Sequence, residues 1–118
     1  MSSNTPLDSS PIPKPEHKRE QELAWIGDAV LALFAREHVL QRLGKIDTEA
    51  FLSLTRNHFL AAIGRPTRIE AEIGLIYDTS GLKAAFEYIE SRLIPTWNLQ
   101  EAKRLRQRKT SLSKKLSR

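Results

Sequence analysis

The apolar positions fall into blocks separated by short polar or glycine-containing breaks. Within each block they recur at the 3,4 spacing of a helix, not the alternation of a strand. From about His17 to Leu43 there is no proline, and Leu23 to Ala35 is apolar apart from Gly27 and Asp28. This predicts one long helix, with Gly44 just past its end. Its centre is apolar nearly all round, which implies burial on more than one face. Asp47 is placed to cap a second helix reaching about Ile63 and closed by Gly64. Phe51, Leu54, His58 and Ala62 would share one face of that helix, with Leu52, Phe59 and Ile63 beside them. Pro66 suits the first turn of a third helix running to about Tyr77, followed by a turn at Asp78-Thr79-Ser80-Gly81. Leu82, Ala85, Phe86, Ile89 and Leu93 mark a fourth helix, ended by Pro95. Asn98 with Glu101 has the spacing of a capping box and would open a fifth, whose only apolar line is Leu99, Ala102 and Leu105. The expected fold is all-α, a compact domain of about four to five helices.

Composition narrows the function classes. A chain of 118 residues holds one core, which excludes a two-lobed enzyme with its own cofactor domain. Without cysteine there are no disulfides, thiolate metal sites, iron–sulfur clusters or Cys nucleophiles. The apolar run is shorter than the roughly 20 residues of a membrane span and has an acid near its middle. No export signal precedes it, so a cytoplasmic protein without a membrane anchor is expected. Residues 1–16, rich in Ser, Pro and Asn, read as a disordered lead, residues 17–97 as the helical domain and residues 98–118 as a basic tail.

The net charge of +5 hides a strong asymmetry. Lys103, Arg104, Arg106, Arg108, Lys109, Lys114, Lys115 and Arg118 give the last sixteen positions +8 with no acid; the other 102 residues carry 11 basic and 14 acidic side chains, or −3. A basic tail on an acidic body points to nucleic acid or another polyanion, against the alternative of a solvated end.

Two acids stand out. Asp28 lies in Trp25-Ile26-Gly27-Asp28-Ala29-Val30, where a buried carboxylate would need an arginine, a helix N-terminus or a metal ion beside it. Gly27 costs about 1 kcal/mol within a helix relative to Ala, which makes sense where another backbone packs closely. Glu70 and Gly74 are four apart, hence on one helical face, while Glu72 is turned away and expected to face solvent. Two helices, each with an acid beside a glycine, would bring both acids to one point if they crossed there. Carboxylate oxygens suit a hard divalent cation such as Mg²⁺. The histidines, His17, His38 and His58, form no close ligand pair, and no Gly-rich phosphate loop or zinc-protease motif is present.

Glu22-Leu23-Ala24-Trp25-Ile26-Gly27-Asp28-Ala29-Val30-Leu31 resembles the signature helix of the ribonuclease III family. Glu70-Ala71-Glu72-Ile73-Gly74-Leu75-Ile76-Tyr77 resembles that family's second acidic motif, and Asp78, Gly81, Phe86, Ile89, Pro95 and Trp97 resemble the motif's continuation in the family. The pair occurs in the family's order and with the continuation covers most of residues 20–97. The resemblance is closest to the Mini-ribonuclease III branch, which lacks a separate double-stranded-RNA-binding domain. Full-length relatives carry further acids at the positions of Gln21, Ala24 and Thr67; the Mini branch likewise has Ala and Thr there and keeps the Asp and the Glu. The resemblance implies a ribonuclease III-like domain shortened in the middle, since only the 41 positions from Ala29 to Ile69 separate Asp28 from Glu70. It implies that Asp28 and Glu70 are catalytic residues and ligands of Mg²⁺, with Mn²⁺ as a substitute. It implies hydrolysis of structured RNA by a homodimer paired through the signature helices, in RNA or ribosomal-RNA processing. The alternative it leaves is a catalytically inactive RNA- or ribosome-binding protein of the same fold. In either case Lys103, Arg104, Arg106, Arg108, Lys109, Lys114 and Lys115 would contact RNA.

Overall fold

Six helices succeed one another along the chain, with no strand among the described residues: α1 Glu16–Leu43, α2 Thr48–Thr55, α3 Asn57–Leu60, α4 Pro66–Ser80, α5 Leu82–Arg92 and α6 Ile94–Leu116. The structure, a computed structural model, describes residues 16–116, with side chains from 18 to 112. Glu16 is already helical, and the rest of the expected lead, residues 1–15, lies outside the described residues. No helix among the described residues is long and apolar enough to cross a membrane.

The first helix ends as its sequence predicts. Gly44 takes φ 71° and its N–H bonds to the Leu40 carbonyl at 2.9 Å, the left-handed end that glycine adopts without strain. Asp47 caps α2, its Oδ1 accepting the Ala50 N–H at 3.0 Å. The single second helix expected to Ile63 is instead broken at Arg56, whose extended backbone (ψ 155°) separates α2 from the one-turn α3. Ser53 and Thr55 hydroxyls donate back to the carbonyls of Ala50 and Phe51, a local competition that weakens a helix just before the break. The break re-aims the chain. Phe59 and Leu60 are buried, while His58 and Ala62, expected to share one face with Phe51 and Leu54, are exposed.

Two further boundaries shift. The turn expected from Asp78 narrows to Gly81 alone (φ 94°), so α4 continues to Ser80. Pro95 does not close α5; it sits in the first turn of α6, where its missing N–H has no helical partner to lose. Asn98 is therefore inside α6 and caps nothing. Its Oδ1 accepts a hydrogen bond from Arg42 instead.

Leu31, Leu54, Phe59, Leu60, Ile69, Ile73, Ile89 and Leu93 are fully buried, drawn from the first five helices and the α5–α6 junction around one core. Trp97 closes it from α6, donating its indole N–H to Ser53 Oγ at 2.9 Å. Beyond Trp97 only Glu101, among the described side chains, is still partly buried. Lys103 to Leu112 are all exposed, and the outer half of α6 stretches the molecule to 76 × 26 × 20 Å.

Candidate metal and nucleic-acid site

The site is built on one backbone crossing. A Cβ at Gly27 would lie 1.7 Å from the Glu70 carbonyl oxygen, and one at Gly74 would lie 2.0 Å from the Leu23 carbonyl oxygen. Hence α1 and α4 touch through main-chain atoms, glycine against glycine. The crossing places the Asp28 and Glu70 carboxyls near enough for the charge of Asp28 to act on Glu70. Partial burial pushes the Glu70 carboxyl up to about 7, with the hydrogen bond to Asp28 and its negative charge adding to the shift. Asp28, expected buried, is exposed instead. Among the described residues neither acid forms an ion pair with Lys, Arg or His. No group of three or more potential His, Asp or Glu metal ligands occurs among the described residues.

The neighbouring acid behaves differently from expectation. Glu72 is half-buried, not solvent-facing. It accepts the Tyr88 hydroxyl hydrogen bond from α5 and pairs with Arg68 at 3.4 Å. Tyr88 is raised by burial and by its bond to Glu72. Arg65, just before α4, bonds Glu20 on α1 at 3.0 Å. These contacts tie α4 to α5 and α1 on the flanks of the crossing. Nothing in the helical spacing marks Tyr88 as the partner of Glu72, sixteen residues away.

His58 is exposed and the His17 side chain lies outside the described residues. His38 stacks on Phe34 (5.5 Å between centroids) and meets the edge of Trp97, and its Nε2 is buried without a hydrogen-bond partner. Burial holds it below the ordinary histidine value, ahead of the opposing influence of Glu90 and the lowering by Arg42. It is a core aromatic contact, not a ligand.

The outer face of α1 carries Trp25, 79% exposed, with Ile26, Leu33 and Leu40 also exposed. The burial on a second face that the apolar pattern implies is therefore not met at these positions. Lys103, Arg104, Arg106, Arg108 and Lys109 all project from α6 into solvent, with Arg104 held to Glu101 at 2.6 Å. Lys114 and Lys115 fall on the last turns of α6, their side chains outside the described residues. No family model, curated protein or solved structure matches the chain.

Proposed function

We propose that this chain is a Mg²⁺-dependent endoribonuclease of the ribonuclease III type, acting in the cytoplasm as a homodimer on structured RNA, including ribosomal RNA. The observation that carries the reading is the meeting of Asp28 and Glu70 at the Gly27–Gly74 crossing. The residue types suit the metal. The donors are all oxygen, and two carboxyls in contact without a neighbouring cation repel until a proton or a divalent ion joins them. Asp28 and Glu70 would hold Mg²⁺, or Mn²⁺ in its place, with water and RNA phosphate completing the shell. A bound ion would supply Lewis-acid chemistry there, lowering the pKa of a water and offsetting charge on the phosphate. The chain's own contribution is position: the glycine contact fixes the spacing of the two carboxyls, and the cations of α6 hold the RNA backbone.

The test is incubation of the purified chain with labelled structured RNA, with and without Mg²⁺. Cleavage by wild type only with metal, and its loss in Asp28→Asn and Glu70→Gln, is the expected result. The sparse site, with two carboxylates and a short interval between them, favours one second reading: an inactive RNA- or ribosome-binding protein of the same fold. That reading is preferred if RNA is bound but never cut at any Mg²⁺ or Mn²⁺ concentration.

A further inference from the structure

A groove of about 490 Å³ lies between α1 and α5. Phe34, Leu82 and Phe86 give it an apolar floor. Its rim carries Glu37, Glu87 and Glu90 against one cation, Lys83. All three acids are exposed, and none forms an ion pair among the described residues. The outer half of α6 has the complementary surface. Between Lys103 and Lys109 it presents five cations and no acid, and only Arg104 is ion-paired among the described residues. Leu105 and Leu112, 56% and 58% exposed, are two turns apart and so lie on one side of the helix. Leucines on one line flanked by cations match an apolar floor flanked by carboxylates, the pattern by which an amphipathic helix seats in a groove.

We propose that the basic half of α6 docks into the α1–α5 groove of a second copy of this chain. The contact must be made in trans. The helix runs unbroken from Ile94 to Leu116, and its side chains from Lys103 to Leu112 all stand in solvent, clear of the chain's own core. A continuous helix cannot turn back to its own groove. Charge and shape alone favour this contact, so it does not depend on the nuclease reading.

The absence of cysteine makes the test direct. One chain carries Glu37→Cys on the groove rim, a second carries Arg108→Cys on α6, and the mixture is treated with a short bis-maleimide. A control mixture replaces the groove position with Asp78→Cys, exposed near the end of α4. The mixed 37–108 product is expected well above the 78–108 control. It should fall to the control level at high salt, and also when Glu87→Gln and Glu90→Gln are added to the groove chain. It should persist when Trp25→Glu is added to both chains, which separates this contact from pairing through α1. Equal yields at the two positions, or a 37–108 yield unmoved by the two Gln substitutions, would overturn the proposal. The groove acids are exposed, so circular dichroism of the Gln variants should match wild type; a loss of the cross-link counts as support only with that match.

Discussion

A methyl group at Gly27 would collide with the Glu70 carbonyl oxygen and carbon, at 1.7 and 2.7 Å, and neither atom can yield by a rotamer change. The helices would have to separate and loosen the core around Leu31 and Ile73. Gly27→Ala should therefore lose about 3 kcal/mol or more of stability. At Gly44 a Cβ meets nothing within 4 Å but the backbone sits at φ 71°, so Gly44→Ala should cost only about 1 kcal/mol. Urea unfolding of the two variants compares them, and equal losses would mean that the crossing can relax. The same crossing makes Glu70 a pH reporter. Its carboxyl is raised from 4.5 to about 7 by burial and by Asp28, so between those values the folded chain binds more protons than the unfolded one. Stability from this group is full below about 4.5 and is lost as pH rises through about 7. For a half-buried carboxyl the loss should be of order 1 kcal/mol after solvent screening. Unfolding of metal-free protein from pH 4 to 8 should show that slope in wild type and lose it in Glu70→Gln.

Helices were legible where one residue both forms and ends them. Gly44 and Asp47 act through their own backbone or side chain, so local chemistry sets the end of α1 and the start of α2. The Gly27–Gly74 contact was legible as well, because a glycine in a helix interior is costly unless something passes close to it. The break at Arg56 was not. Ser53, Thr55 and Arg56 all turn back on α2 carbonyls, but the apolar spacing runs straight through them, and tertiary packing of Phe59 and Leu60 decides the break. Pro95 reads equally well as a stop or a start; burial of Ile94 and Trp97 makes it a start. Ser53 then has a second role that local pattern cannot reveal, as acceptor for the Trp97 indole across 44 positions. Ser53→Ala should leave that N–H unpaired and cost about 1–2 kcal/mol. Asp47→Ala, which removes the α2 cap, should cost about 1 kcal/mol. Thermal unfolding gives both losses. Only the first variant should also change Trp97 fluorescence in the folded state, measured with Trp25→Phe to silence the other indole.

At the scale of the whole molecule two surfaces remain unsatisfied in one chain, the apolar outer face of α1 and the cationic outer half of α6. An exposed tryptophan with Ile26, Leu33 and Leu40 on one helix fits a two-fold interface. Sedimentation should give a dimer at about 10 µM, a concentration suited to a stable interface, and a monomer of unchanged helicity for Trp25→Glu. The α6 cations set a different test. The body of the chain carries −3 and repels a polyanion at long range, so on the proposed function the attraction to RNA would come from the +8 of residues 103–118. Each phosphate that a cation neutralises on a duplex steepens the fall of log K with log salt by about 0.9, the slope established for DNA and taken here as a guide. Deleting 103–118 should therefore weaken RNA binding strongly at low salt and flatten its salt dependence. Folding should survive the cut, because Ile94 and Trp97 keep their core contacts and the described side chains from Lys103 to Leu112 are all exposed. On the proposed nuclease function, cleavage at saturating RNA should stay intact, since Asp28 and Glu70 lie on α1 and α4. A truncated chain of unchanged melting temperature, affinity and salt slope would leave the tail without a role toward RNA; one that keeps its melting temperature but loses both affinity and slope would assign it to the RNA backbone.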